Sequence, residues 1–237
     1  MQAAGRSAPG GAHGFPVGPW RGPWCAPRGE YLGKVKTGQA VDCAALSRDT
    51  GAMSEVFIFG YGSLVNRRTH DYAKAHRASL RGWRRAWRHT SRREVAFLNA
   101  VPEPGHEMKG LVLAVPRVAP DLDRREQAYS RCDVSGQVSP PPEGAAEVSL
   151  FAIPPDSGGG RAGHVLLLSY IDVVAQGYLR EYGEGGVRDF FETTDGWDAP
   201  VIDDRAAPRY PRAQPADDGL TALVDHWLGE VGARRAT

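Results

Sequence analysis

Apolar and polar positions fall into their first clear pattern at residues 56–60, VFIFG, a run of β-forming residues that ends in a Gly-x-Gly turn and predicts a buried strand. Further strands are predicted over 80–89, 94–101 and 109–115, the last lying just ahead of Pro116. Four strands thus precede the first helix, predicted over about 120–132, where Pro120 suits the first turn and Asp121 and Asp123 complement its positive end. Loops rich in Pro and Gly at 140–142 and 154–163 flank another strand over 148–153. Residues 168–182 place Leu168, Ile171, Val174, Ala175, Tyr178 and Tyr182 at helical spacing, and 220–231 repeats the pattern with Leu223, Val224, Trp227 and Leu228. Strands come mostly first and helices mostly later, without βαβ alternation, so the expected class is α+β. Residues 1–52 carry neither period and are rich in Gly, Ala, Pro and Arg, which predicts a disordered extension ahead of one domain over 53–237.

Composition narrows the function classes. The 29 Lys and Arg nearly balance 28 Asp and Glu, so no global field collects nucleic acid or an anionic membrane. The three cysteines, Cys25, Cys43 and Cys132, are odd in number and share no metal or redox spacing, which points to a reducing compartment rather than a disulfide framework. No apolar run approaches the roughly 20 residues that span a bilayer. The expected location is cytoplasmic. Seven scattered histidines show neither HxxxH spacing nor a neighbouring Cys pair, so no metal is expected.

Three segments carry candidate chemistry. FGYGSL, residues 59–64, follows the first strand, and its Gly-flanked turn can present successive backbone N–H groups to a ligand oxygen. An ordinary tight turn has the same sequence. It is not a dinucleotide fingerprint, because Val65 stands where the third Gly belongs, and Ser63 lacks the surroundings of a nucleophile elbow. DLDRREQAYSR, residues 121–131, puts Leu122, Glu126 and Tyr129 on one helical face, with no cation at the helical pairing positions around Glu126. A carboxylate turned inward there has its pKa raised by desolvation, as a general acid/base near neutrality requires, whereas a Glu at the stripe's edge reaches solvent. The basic, aromatic run over 81–93, RGWRRAWRHTSRR, has the composition of a nucleic-acid surface. Period 2 explains it more simply, with Trp83, Arg85 and Trp87 on one face and Arg84, Ala86 and Arg88 on the other.

FGYGSL on a first strand together with REQAYSR on a later helix resembles the gamma-glutamylcyclotransferase superfamily, which includes the ChaC-type glutathione-degrading enzymes and the AIG2-like proteins. RGWRRAWR is similar to the second-strand segment of ChaC-type members, and YIDVVAQGY, residues 170–178, to their later helix. The likeness runs over roughly 53–231. It implies a small mixed β-barrel flanked by helices, a site at one mouth, and no cofactor. By position, Tyr61, Gly62, Ser63 and Leu64 match the substrate-binding turn, Glu126 the catalytic glutamate, and Tyr129 and Tyr170 aromatic positions near the pocket. The implied reaction cyclises a gamma-glutamyl substrate, either glutathione or a gamma-glutamyl amino acid or amine, to 5-oxoproline and releases the amine. The implied partner is therefore that small molecule, with no nucleic acid and no membrane. A non-catalytic small-molecule or protein-binding module on the same fold is the competing expectation. The segment 204–212, DRAAPRYPR, suits a pocket-closing loop and a structural brace equally.

Overall fold

The computed structural model describes residues 55–89, 94–117, 119–126, 129–144, 147–153 and 164–236. The extension over 1–52 and the loop over 154–163 lie outside the described residues. The apolar run VFIFG forms β1 (Glu55–Gly60), which pairs antiparallel with the long β3 (Phe97–Pro116), and β3 in turn pairs with β2 (Ala75–Arg88). After the short α1 (Pro120–Arg125) come β4 (Ser130–Asp133), β5 (Val138–Ser139) and β6 (Val148–Ala152). Then β7 (Leu166–Leu167) leads directly into the long α2 (Leu168–Glu192), followed by β8 (Thr194–Asp195), β9 (Val201–Ile202) and α3 (Asp218–Glu230). The main sheet runs β4-β6-β1-β3-β2-β5 with β8 alongside β2, and β7 and β9 form a separate parallel pair. Parallel β1–β6 and β2–β8 contacts among antiparallel neighbours make the sheet mixed. The expected α+β class, a small mixed β-barrel flanked by helices, is borne out, with the sheet curled into a half-barrel whose strand path ends at β4 and β5.

The sheet bends where its longest hairpin is interrupted. Pairing of β2 with β3 jumps from Arg81↔Glu107 to Trp83↔Pro102, with Gly82 at φ +81° in the gap. Such an irregularity bends a strand and strengthens its twist. The Pro and Gly residues here separate two expected strands, but the structure joins 94–101 and 109–115 into one, because the ladder resumes on both sides of the excursion. Among the described residues three strands, not four, precede the first helix.

That helix is also shorter than its pattern predicts. Glu126 leaves the helical region at φ −102°, ψ 16°, and Tyr129 N–H donates to the Glu126 carbonyl at 2.9 Å, which closes a turn. Residues 130–133 then pair with the edge of β6, so a tertiary ladder overrides local helix preference. Cys132 on that strand is disulfide-bonded, against the expectation of a reducing compartment without disulfides.

The basic run on β2 is structural over its described part. Trp83, Arg85 and Trp87 are buried and Arg88 is exposed, as alternation predicts, although Ala86 is buried too. Arg85 is fully buried, donates to Asp189 and Thr193 at 3.1 Å, and lies over the Tyr178 ring. A buried guanidinium satisfied this completely locks α2 onto the sheet. Both helical patterns hold. α2 continues beyond Tyr182 across a break at Gly183, whose φ of +67° a residue without Cβ adopts readily.

Candidate active site

The turn after β1 is built by close packing. A methyl on Gly60 would stand 2.6 Å from Leu64 Cβ, and one on Gly62 would stand 2.8 Å from the Tyr170 hydroxyl, so both positions require glycine for approach rather than for φ. Ser63–Val65 form a single 3₁₀ turn closed by Val65 N–H to the Gly62 carbonyl at 2.9 Å. The first N–H groups of such a turn have no acceptor within it. Behind it Asn66 is fully buried and donates to the Val173 carbonyl at 2.9 Å and to Gln176 Oε1 at 3.0 Å, which pins the turn to α2. Gly177 allows that contact, since a methyl there would lie 2.7 Å from the Asn66 backbone nitrogen. The YIDVVAQGY segment is thus the platform on which FGYGSL rests.

Beside the turn opens a cavity of about 590 Å³, lined by residues 60–64, Trp87, 94–98, 124–126, Tyr129, Phe151, Leu167, Tyr170 and 209–212. Every site residue expected from the sequence lines it: Tyr61, Gly62, Ser63, Leu64, Glu126, Tyr129 and Tyr170. Their side chains differ in what they have left to offer. The Tyr61 hydroxyl donates to the Phe151 carbonyl at 2.8 Å and accepts from Ala100 N–H at 3.1 Å. The Tyr129 hydroxyl donates to the Leu98 carbonyl at 3.1 Å. Both rings therefore shape the wall, while their hydroxyls brace the sheet. Tyr170 hydrogen-bonds with Ser63 and stacks edge-on against Trp87 and Tyr210. Burial raises all three tyrosines above the ordinary phenol range, Tyr61 and Tyr129 furthest, so they are neutral at physiological pH.

Glu126 is 8% exposed. Burial pushes its carboxyl up to about 7, against the opposing pull of Arg125 and Arg212. Its helical pairing positions lack a cation, as the sequence shows, but the adjacent Arg125 turns back so that its Nε stands 3.4 Å from Glu126 Oε1. This is a correction, made possible because Glu126 caps the helix rather than continuing it. Arg125 also donates to Ser63 Oγ at 2.7 Å, so one guanidinium joins the carboxylate to the turn.

The last wall comes from 209–212. Asp204 is buried and accepts from Ser169 N–H at 2.7 Å, Ser169 Oγ at 2.6 Å and Arg209 N–H at 2.9 Å. The segment is therefore a brace at its start and a pocket wall at its end. Arg125, Arg209, Tyr210 and Arg212 were not among the site residues expected by position, and the Arg-Tyr-Pro-Arg ending of DRAAPRYPR, in the segment read as a pocket-closing loop or a brace, is the part that lines the cavity. Among the described residues no group of three or more His, Cys, Asp or Glu is arranged to hold a metal ion, and no helix is long and apolar enough to cross a membrane.

The family model of ChaC-like proteins matches residues 56–151, a span that includes FGYGSL, the Trp/Arg strand and Glu126. No curated protein matches the sequence. Among solved structures, YkqA from Bacillus subtilis is similar at 16% identity and a TM-score of 0.41, covering 60% of this chain, and this chain spans only 56% of that protein's length. A gamma-glutamyl cyclotransferase is similar at 11% identity and a TM-score of 0.42, covering 73% of this chain and 99% of its own. The gamma-glutamyl cyclotransferase specific to glutathione from yeast is similar at 15% identity and a TM-score of 0.35, covering 75% and 97%. Over residues 56–151 the chain is similar to ChaC-like proteins, and that span holds both motifs on which the resemblance was read.

Proposed function

We propose that the cavity beside FGYGSL cyclises a gamma-glutamyl group to 5-oxoproline and releases the attached amine, with Glu126 as the acid/base. The observation that carries this reading is a buried carboxyl with a pKa of about 7, held by Arg125 against the turn that the ChaC-like segment contributes. Ionised, Glu126 takes a proton from the substrate's α-ammonium group. The freed amine attacks the γ-carbonyl carbon, a C–N bond closes the five-membered lactam, and the original amide C–N bond breaks. The attacking nitrogen gives up a second proton as the lactam forms, and both protons leave on the amine, which departs as an ammonium with Glu126 returned to its ionised form, so neither water nor an oxidant enters the balance. Because nucleophile and electrophile belong to one molecule, positioning supplies an effective molarity on the order of 10⁵ M or more in favourable geometry. The wall of neutral tyrosines shapes the cavity that must fold the glutamyl chain. Backbone N–H groups at Gly62–Leu64 are suited to the oxyanion that develops at the γ-carbon, where one donor is worth about 3 kcal/mol.

The test is mass-spectrometric detection of 5-oxoproline after incubating the protein and its Glu126→Gln variant with glutathione and a panel of gamma-glutamyl dipeptides and amines. Product from the native protein and none from the variant supports the reaction and the role of Glu126. Product from both removes Glu126 from the mechanism. Product from neither, on any substrate, leaves a binding module on this fold.

A further inference from the structure

The FGYGSL turn is also held from behind, by a hydroxyl of α2. Tyr178 is fully buried, and its oxygen stands 2.9 Å from the Tyr61 carbonyl and 2.8 Å from the Lys109 carbonyl. A phenol has one proton to give. Arg85 settles where it goes, because its Nη1 donates both to the Lys109 carbonyl and to the Tyr178 hydroxyl, each at 3.1 Å. With Lys109 served by the guanidinium, the Tyr178 proton is left for Tyr61. Burial outweighs the nearby guanidinium and holds the phenol above its ordinary range, so the proton stays on at physiological pH. Asp189 and Thr193 grip Arg85 from its other side.

The Tyr61 carbonyl shares its peptide plane with the first N–H of the turn. That peptide is trans, so the Gly62 N–H points opposite to the carbonyl. Tyr178 lies beneath the turn and outside the cavity's lining, whereas Gly62 is part of that lining, so the N–H faces the cavity. The next two carbonyls are fixed locally, Gly62 by Val65 N–H at 2.9 Å and Ser63 by Asn66 N–H at 3.1 Å and Thr69 Oγ1 at 2.9 Å. Among the described residues the N–H groups of Gly62, Ser63 and Leu64 have no acceptor. Three successive donors are thus left for a ligand, and the first is set from a distant helix. We infer that Tyr178, backed by Arg85, is a positioning residue that aims the Gly62 N–H at the oxyanion developing on the γ-carbon. The inference rests on the proposed reaction for the identity of that anion. Its physical content is that a donor stabilises a transition state only while it is held on the developing charge, and a peptide next to glycine turns readily once its carbonyl is released.

Tyr178→Phe removes the hydroxyl and keeps the ring, which stacks on Phe190 with centroids 5.6 Å apart. Tyr182→Phe is the matched control, since that hydroxyl, also on α2, holds the Ala78 and Gly110 carbonyls of the sheet and not the turn. kcat and KM for 5-oxoproline formation are to be measured on the native protein and both variants, with denaturation midpoints alongside. In parallel, calorimetry in Glu126→Gln protein, with and without each tyrosine substitution, measures Kd for two probes. One is 2-amino-4-phosphonobutyrate, which carries a tetrahedral anion at the γ-position; the other is glutamine, which carries a planar neutral amide there. In Tyr178→Phe, kcat is expected to fall about tenfold or more with KM changed less than about twofold. The phosphonate Kd weakens about tenfold while that of glutamine stays within about twofold. Tyr182→Phe shows neither effect at a comparable loss of midpoint. An unchanged kcat in Tyr178→Phe overturns the inference. So does a kcat loss that Tyr182→Phe matches, or a KM that rises as far as kcat falls, because the hydroxyl then serves the fold at large. Should Tyr178→Phe be too unstable to assay, Asp189→Asn, which loosens Arg85 from its outer side, is measured for the same split, and an unchanged kcat there overturns it. If the native protein forms no 5-oxoproline from any substrate, the proposed reaction fails by itself. The phosphonate-to-glutamine binding ratio then decides the role of Tyr178, and a ratio that Tyr178→Phe leaves unchanged, or phosphonate binding too weak to detect, overturns it.

Discussion

Arg125 Nη2 donates to Ser63 Oγ at 2.7 Å, across 62 residues of sequence, and the same side chain stands 3.4 Å from Glu126. The carboxyl proposed to move the proton and the turn proposed to hold the substrate are therefore set by one guanidinium. Burial raises the Glu126 pKa and Arg125 is the larger of the two influences opposing it. Arg125→Gln is expected to move the rising limb of kcat/KM from about pH 7 to higher pH, with activity at pH 7 falling about tenfold. A pH–rate profile checks this, and a limb left near pH 7 would remove Arg125 from the control of Glu126. Ser63→Ala, which keeps the charge, is expected to leave that limb in place and to retain turnover, since the proposed reaction uses no serine nucleophile.

Glu126 also sets a stability signature. Its folded pKa of about 7 lies above the ordinary 4.5, so between these values the native state keeps a proton that the unfolded chain releases. Stability contributed by that proton is present below pH 4.5 and is lost as pH rises through about 7. At about 1.4 kcal/mol per pH unit the loss is on the order of 3 kcal/mol. Glu126→Gln is expected to abolish turnover and yet to be more stable than the native protein at pH 8, by up to about 3 kcal/mol, with the gap closing toward pH 4.5. Urea titrations at the two pH values test it; a gap independent of pH contradicts the buried, protonated carboxyl.

Gly177→Ala places a methyl 2.7 Å from the Asn66 backbone nitrogen and 2.9 Å from its Cα, neither of which can turn aside. Overpacking of this kind costs about 1–3 kcal/mol. Asn66→Ala strands the Gln176 and Val173 oxygens that Asn66 satisfies and is expected to cost a similar amount. Both should raise KM as well, because the turn loses its platform. Denaturation midpoints together with steady-state kinetics give the answer, and loss of stability with unchanged KM would separate the turn from substrate binding.

Asp204 accepts three hydrogen bonds at the start of the loop that carries Arg209 and Arg212. Asp204→Asn turns one acceptor into a donor facing donors. The loop loosens, and KM rises roughly tenfold with kcat changed less than about threefold, since Glu126 lies on another element. A matching fall in kcat instead would show that the loop positions the reacting group.

Periodicity alone determined a good deal about this protein. VFIFG had to be a buried strand, Trp83, Arg85 and Trp87 had to share a face, and the residues from Leu168 and from Leu220 had to form amphipathic helices, because each pattern is written in neighbouring side chains. All seven expected site residues meet at one cavity for a related reason, since they sit in three compact motifs that the fold brings together. Tertiary structure decided the rest. Pairing across the Gly82 irregularity made one strand of two, and the edge of β6 drew residues 130–133 out of a helix. That second choice left Glu126 as a helix cap, buried beside Arg125 and within the field of Arg212, which lies 86 positions further along the chain. No local pattern records such a meeting, because a desolvated carboxyl and the charges that face it are matched in space, after the chain has folded, and not along the sequence.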